Sequence, residues 1–138
     1  MKVFGILTRK KRWNLLTGMK TAFMTNYKFG DVVLISFNYV SSNQDKKRPA
    51  LVILDSNDDD LVLAPITSQS KSHRGDCYLS KWEYSNLLKP SWARLGKINT
   101  LEKISVIRIL GELNEIDKQQ ISRTWHELYI LNPKGQKK

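Results

Sequence analysis

The sequence predicts a mainly β fold: a small barrel of short strands followed by one C-terminal helix. From Gly30 onward, short apolar runs alternate with turn residues, as is typical of all-β domains. The runs Ala50–Leu54 and Leu61–Ile66 are apolar at nearly every position, which favours strands buried on both faces in a small closed barrel. One helical pattern follows the strands, so the order does not fit repeated βαβ units.

The strands are expected in a simple order along the chain. Residues 55–60 are a run of Asp, Ser and Asn, a strong turn signal that predicts a hairpin between the second and third strands. Pro65 has no N–H to donate and should mark a strand end or edge. The predicted strands are Val32–Phe37, Ala50–Leu54, Leu61–Ile66, Cys77–Leu79, Trp92–Ile98 and Ile104–Leu110, the last closed by Gly111.

The C-terminal helix has clear start and stop signals. Asn114 is a good N-cap residue, and acids follow it in the first turn, where they suit the helix dipole. Asn132-Pro133 should end the helix. Its apolar face consists of residues spaced i, i+4 and i+7, namely Ile121, Trp125 and Leu128.

Length and composition fit one domain with short extensions. The chain has 138 residues, enough to bury a core without disulfide or metal staples. Its single cysteine, Cys77, excludes an intrachain disulfide framework and suits a reducing cytoplasm. No apolar run reaches the roughly 18 residues of a membrane span, so we expect a cytoplasmic protein without membrane contact.

The net charge of +10 belongs to the ends of the chain. Residues 1–28 hold seven Lys or Arg and no acid, whereas residues 29–131 hold 13 basic and 13 acidic groups. We therefore expect a basic N-terminal extension at 1–27, a domain at 28–131 and a basic tail at 132–138. Local basic patches, rather than the overall charge, must support any interaction with RNA. Met1, Met19 and Met24 are all candidate starts.

Six segments together resemble the PemK/MazF family of toxins from type II toxin–antitoxin systems. Their order and spacing make the resemblance specific, and it covers about residues 28–131. The segments are Phe29–Leu34, the Arg-Pro-Ala segment Lys47–Val52, Ala64–Ser68, Asn86–Ser91, Asn99–Lys103 and Leu110–Leu113.

The resemblance implies an SH3-like barrel that forms a homodimer. It implies an endoribonuclease that cleaves single-stranded mRNA without a metal or other cofactor and so inhibits growth. The 2′-OH would attack the adjacent phosphate, leaving a 2′,3′-cyclic phosphate and a 5′-OH. It also implies a cognate antitoxin, and operator DNA binding through the complex with that antitoxin.

Arg48, in the Arg-Pro motif, is the first catalytic candidate. An Arg fork matches two phosphate oxygens and stays charged, which suits the extra negative charge of the transition state. Thr67 and Ser68 end a strand that should pair with the strand of Arg48, and a hydroxyl there can donate to phosphate. Solvation of Arg48 and strand-end capping by Thr67 are the alternatives.

Further residues are candidates for RNA binding. Two positions depart from the family pattern: the usual acid of the first loop falls at Asn43, and the acid expected two residues after Arg94 is replaced by Gly96. These departures put acid–base catalysis in doubt. The candidates for RNA binding are Asp45, Lys46, Lys47, Gln69, Arg94 and Lys97.

Other groups carry weaker signals. His73, Asp76 and Cys77 match no firm zinc spacing, so we expect no metal site. His126 lies off the apolar helix face and should be a surface residue. The aromatic residues Trp82, Tyr84 and Trp92 could stack on bases, although core or dimer packing is the more common role.

A second function remains open. The same barrel could bind nucleic acid or protein without cutting, as a related toxin that grips DNA gyrase does, or it could be a decayed toxin. The positions of Asn43 and Gly96 favour this alternative. Binding without cleavage products would distinguish the two readings.

Overall fold

The computed structural model describes residues 26–38, 45–69 and 73–131. They form seven strands and one α-helix in the order β1–β7, α1. The bounds are β1 Asp31–Asn38, β2 Asp45–Asp55, β3 Asp60–Thr67, β4 Asp76–Tyr78, β5 Trp92–Arg94, β6 Asn99–Glu102, β7 Val106–Glu112 and α1 Glu115–Trp125. The predicted mainly β fold with one C-terminal helix is confirmed.

The strands form one antiparallel sheet in the order β4-β5-β3-β2-β1-β7. The remaining strand, β6, pairs with the first half of β3, whereas β5 pairs with its last two residues. The strand pairings of the described residues do not close the sheet into a ring, so the fold is barrel-like rather than the closed barrel that the apolar runs predicted.

The β2–β3 hairpin is confirmed, and its turn is built by aspartates. The Asp55 side chain accepts a hydrogen bond from the Asn57 N–H at 2.7 Å, and the Asp58 side chain accepts one from the Asp60 N–H at 3.0 Å. Asn57 has φ 68°, a left-handed conformation that Asn tolerates. These local contacts explain why the Asp-rich segment is a turn.

Two apolar cores lie on opposite faces of the sheet. The helix-side core includes Leu51, Ala64, Ile66, Cys77, Ala93 and Ile121, and the inner core consists of Val33, Ile35, Ala50, Val52, Leu61 and Leu63. Leu101 and Val106, which lie on β6 and at the start of β7, pack against the inner core. Burial on both faces explains why β2 and β3 are apolar at consecutive positions.

The helix begins as the sequence predicts and carries the predicted apolar face. The Asn114 side chain accepts a hydrogen bond from the Ile116 N–H at 2.9 Å. Ile121 is buried in the helix-side core, with Trp125 and Leu128 packed against it. After α1 the backbone continues as a π-helical turn, His126–Leu131, and the predicted Asn132-Pro133 stop lies beyond the described residues. None of the helices in the described part of the chain is long and apolar enough to span a membrane.

Strand β2 begins at Asp45, well before the predicted start at Ala50. Two other strand predictions were also wrong in their bounds. The Trp92–Ile98 run is broken by a 3-10 turn, Leu95–Lys97, so that β5 and β6 are separate strands. Gly111 does not close β7 but lies inside it, opposite Val32 next to a register shift. Local pattern could not reveal either feature, because both depend on which strand pairs alongside.

Ion pairs join neighbouring elements of the fold. Lys103 and Asp55 form a fully buried pair at 3.0 Å, which joins the segment after β6 to the end of β2. At the start of the helix, Lys118 donates to Glu112 at 2.8 Å. This hydrogen bond lowers the pKa of the Glu112 carboxyl and raises the pKa of Lys118.

Burial raises the pKa of the Cys77 thiol, whose side chain lies in the helix-side core.

Candidate functional site

Near β4 and β5, the sheet face opposite the helix carries polar and aromatic side chains instead of an apolar core. Successive residues of a strand point to opposite faces. Ile66 and Ala93 belong to the helix-side core, so their neighbours Thr67 and Trp92 lie on the other face. Thr67 is paired with Trp92, and Trp92 with Tyr78, so these three residues form a row across β3, β5 and β4.

Arg48 lies on the same face, at the start of β2. It is exposed and pairs with Ile35 of β1. The pairing of β2 with β3 ends at Ala50 opposite Pro65, and two further residues along each strand lead to Arg48 and Thr67. Arg48 and Thr67 are equally far along their strands from the Ala50–Pro65 pair, so both residues lie on the same face of the sheet. Pro65 thus marks the end of the β2–β3 ladder, although it lies inside β3.

Two lysines directly precede Arg48 at this end of the strand. Lys46 shares the face of Arg48, whereas Lys47 points to the opposite face, and both side chains are exposed. The backbone of Asp45 pairs with Asn38, and Asn43 lies outside the described residues. The start of β2 therefore presents three consecutive basic side chains to solvent.

The Thr67 hydroxyl caps the end of β3. It accepts a hydrogen bond from the Gln69 N–H at 3.1 Å, and its own O–H donates to the Gln69 carbonyl at a longer 3.4 Å. Ser68 and Gln69 are exposed beyond the strand. Thr67 therefore caps the end of its strand, which is the alternative to a catalytic role for its hydroxyl. The hydroxyl keeps a free lone pair, and its weakly bound proton could turn to another acceptor.

Arg94 is held by two residues that the sequence did not connect to it. Its Nε–H donates to Asp76 Oδ1 at 3.3 Å across the β4–β5 pair, and its Nη2 donates to His73 Nδ1. Asp76 is fixed in turn by the His73 N–H, which donates to it at 3.2 Å. Because a guanidinium only donates, His73 Nδ1 must accept, and the ring proton of neutral His73 is on Nε2.

The sequence singles out His73 and Asp76 only as residues that match no zinc spacing, and it does not connect them to Arg94. Two three-residue strands bring Asp76 next to Arg94 although they are 18 residues apart. No local spacing signals such a contact, but the two short strands predicted at 77–79 and 92–98 could have suggested it. The side chains of Arg94 and Asp76 are 16% and 5% exposed, so the pair is largely shielded from water.

Gly96 follows Arg94 at a point of close backbone contact. A Cβ atom at Gly96 would lie 2.7 Å from the Arg74 carbonyl oxygen, and the Leu95 N–H donates to the Gly75 carbonyl at 2.9 Å. A side chain therefore has no room there. Lys97 is exposed at the end of this 3-10 turn.

The aromatic candidates have different environments. Trp82 is half-buried and packs against the helix-side core, which is the core-packing role given above as the more common one. Tyr84 is 62% exposed. Trp92 is half-buried beside Tyr78, with ring centroids 5.2 Å apart and ring planes at 51°. His126 is exposed, as predicted. Within the described ranges, no group of three His, Cys, Asp or Glu residues could hold a metal ion.

Comparisons with known proteins give the same fold. Mycobacterium tuberculosis toxin MazF-mt6 is 14% identical, with 72% of this chain and 95% of that chain covered and a TM-score of 0.59. An endoribonuclease in complex with its cognate antitoxin, from a mycobacterial species, is 15% identical, with 77% and 97% covered and a TM-score of 0.61. A MazE–MazF complex from Deinococcus radiodurans is 17% identical, with 75% and 95% covered and a TM-score of 0.61.

No curated protein matches the chain by sequence. At identities this low, the structural likeness shows the fold alone. The family model of PemK-like, MazF-like toxins of type II toxin–antitoxin systems, however, matches residues 28–129, which is more than half of the chain. The chain therefore belongs to the PemK/MazF toxin family.

Proposed function

We propose that this toxin is an endoribonuclease that cleaves single-stranded mRNA without a metal ion. The observation that supports this most directly is the exposed guanidinium of Arg48, on the same sheet face as Thr67 and Arg94. A phosphate lying over this face would meet two Arg side chains and a hydroxyl. Such donors stabilise the extra negative charge of the transition state more than they stabilise the singly charged phosphodiester of the ground state.

The reaction needs no protein nucleophile. The ribose 2′-oxygen forms a bond to the adjacent phosphorus, and the bond from phosphorus to the 5′-oxygen breaks. The 2′-OH loses a proton, the departing 5′-oxygen gains one, and the products carry a 2′,3′-cyclic phosphate and a 5′-OH. We assign Arg48 to the phosphate charge, and Thr67, with Ser68 beside it, to phosphate or 2′-OH alignment.

The remaining candidates are assigned to binding. Lys46 and Lys47 supply positive charge beside Arg48, with Asp45 just before them, while Gln69 follows the Thr67 cap. Arg94 keeps its Nη1 hydrogens for phosphate, since Asp76 and His73 occupy Nε and Nη2. Lys97 extends the basic surface after β5.

The decisive test is cleavage of a mixed single-stranded RNA by the purified chain in excess EDTA. We expect wild-type cleavage with 5′-OH ends, which polynucleotide kinase can label directly. Arg48→Ala should lose about 10²–10³ in rate, as expected when one stabilising group leaves a preorganised site. Arg123→Ala is the matched control, since Arg123 is an exposed arginine on α1, across the sheet. An inactive wild type, or full activity in Arg48→Ala, refutes the proposal.

The second candidate function is binding without cleavage. Gly96 cannot carry the acid that the family pattern expects, because the Arg74 backbone fills that space. Arg94 is also already paired. A barrel of this kind could grip RNA, DNA or a protein such as gyrase, or be a decayed toxin. Tight binding of RNA with no new 5′-OH ends would support this function over the first.

We also propose that the chain acts with protein partners in the cytoplasm. Two of the similar structures are complexes of a toxin with its antitoxin. We infer a cognate antitoxin, a homodimer of the toxin, and operator DNA binding by the toxin–antitoxin complex. Co-purification with the product of a small adjacent upstream gene, and the mass of the complex, would test this.

A further inference from the structure

We propose that Tyr78 and Trp92 form a stacking site for one unpaired nucleobase of the RNA, next to Thr67. The inference rests on the proposed function, because it assigns a base-binding subsite to that same face. Its ligand is a base of single-stranded RNA, recognised by its π-face rather than by its sequence.

The strand register places the two rings beside the proposed cleavage centre. Thr67 pairs with Trp92, and Trp92 pairs with Tyr78. Neighbouring strands are about 4.8 Å apart, so the Tyr78 strand lies roughly 10 Å from the Thr67 strand. A nucleotide whose phosphate lies near Thr67 could therefore place its base, or the next base, over the rings.

The two rings are not used by either core. Among the described residues, both cores and the side chains packed against them are made without Tyr78 and Trp92. Tyr78 is 45% exposed, although its neighbour Cys77 is buried. Trp92 is half-buried and held against Tyr78. An exposed ring fixed against a second ring gives a stacking surface at little cost in side-chain entropy.

Charge next to the rings favours a polyanion. Arg94 follows Trp92 by two residues on the same face, and Lys46 and Arg48 lie on that face of β2. Asp76, the acid of the β4–β5 pair on this face, is nearly buried and bound to Arg94. Aromatic rings beside basic groups are the combination that binds single-stranded nucleic acid.

The simpler role of the pair is to stabilise the short β4–β5 ladder. Cross-strand aromatic contacts do stabilise sheets. That role requires the ring contact but no ligand, so it predicts a change in stability without a change in RNA affinity. The two roles are therefore separated by measuring affinity on folded variants.

The experiment measures binding of a single-stranded 2′-O-methyl RNA by fluorescence anisotropy. This probe lacks the 2′-OH and cannot be cleaved, so binding is independent of catalysis. We expect Tyr78→Ala and Trp92→Ala to weaken binding about 5- to 150-fold, the loss of one stacked base. Trp92→Phe should retain most of the affinity. Tyr84→Ala, which removes another exposed aromatic ring, should bind as the wild type does.

Circular dichroism and a urea unfolding curve confirm that each variant is folded. Should Trp92→Ala unfold, the more exposed Tyr78→Ala and the conservative Trp92→Phe still decide the question. Wild-type affinity in folded Tyr78→Ala and Trp92→Ala overturns the inference. So does equal loss in Tyr84→Ala, because it would show a non-specific effect.

The two proposals can fail separately. RNA cleavage that depends on Arg48 but not on the two rings leaves the proposed function standing and overturns the stacking site. Binding that needs the rings, in a chain that never cleaves RNA, supports the stacking site and overturns the nuclease. A chain that neither binds the probe nor cleaves RNA overturns both.

Discussion

Gly96 and Gly75 show how closely two turns pack beside Arg94. A Cβ at Gly75 would lie 2.7 Å from the Gly96 N, and Gly75 has φ +92°, which favours glycine. The Leu95 N–H also donates to the Gly75 carbonyl. This contact fixes the backbone on both sides of the Arg94–Asp76 pair. Glycine at position 96 is therefore required by packing, whatever the chemistry of the site.

Gly96→Ala is expected to destabilise the protein by about 1–3 kcal/mol, the usual effect of forcing an extra methyl group into a packed site. The methyl group would displace the Arg74 carbonyl, which is backbone and cannot rotate away. The free energy of unfolding in urea measures the effect. Lys97→Ala, at the exposed neighbour, should change it by less than about 0.5 kcal/mol. Equal stability of both variants would contradict the packing argument.

Single residues were predictable from sequence where their chemistry is local. The capping role of Asn114 and the turn at 55–60 follow from side chains that bond their own backbone neighbours. The partners of Arg94 were not predictable in the same way. They depend on the pairing of β4 with β5, which no residue near Arg94 in the sequence specifies.

At the scale of elements, α1 is tied to the segment between β4 and β5 by one buried carboxylate. Asp117 accepts hydrogen bonds from the Ser80 N–H, the Ser80 hydroxyl and the Lys81 N–H, all at 2.9 Å. Sequence reasoning saw Asp117 only as an acid that suits the helix dipole. Its main contacts are instead with a segment more than 30 residues earlier in the chain.

Asp117→Ala should therefore loosen the link between the helix and the 80–86 segment. We expect a loss of about 1–3 kcal/mol in unfolding free energy, since donors near the buried carboxylate lose their acceptor. Hydrogen exchange should be faster at the Ser80 and Lys81 amides than in the wild type. Gln119→Ala, at an exposed position of α1, is the control and should alter neither quantity. Unchanged exchange at both amides in Asp117→Ala would show that the carboxylate is not the tether.

Across the whole molecule, one sheet face serves two purposes. Near β6 it carries the inner core, covered by Leu101 and Val106, and near β4 and β5 it carries Thr67, Trp92 and Arg94. Pro65 lies between the two regions, where the β2–β3 ladder ends. The apolar runs predicted the covered region well. The open region depends on β5 replacing β6 beside β3, and only the topology reveals it.

We expect the basic N-terminal extension to be dispensable for folding of the domain. Every residue of the two cores, and every side chain packed against them, lies between Tyr27 and Leu128 in the described part of the chain. A chain that starts at Met24 keeps all of them and loses six basic groups and no acid. We expect its unfolding free energy to stay within about 0.5 kcal/mol of the full chain, with cleavage that still requires Arg48.

RNA affinity should respond differently from stability in this truncated chain. Removing positive charge should weaken binding at low salt and make the dependence of affinity on salt shallower, by about 0.7 in the logarithmic slope for each lost contact with a single-stranded phosphate. Urea unfolding and binding of the 2′-O-methyl probe at several salt concentrations measure the two effects, with the full chain as reference. A stability loss above about 1 kcal/mol would mean that residues before Met24 contribute to the folded domain.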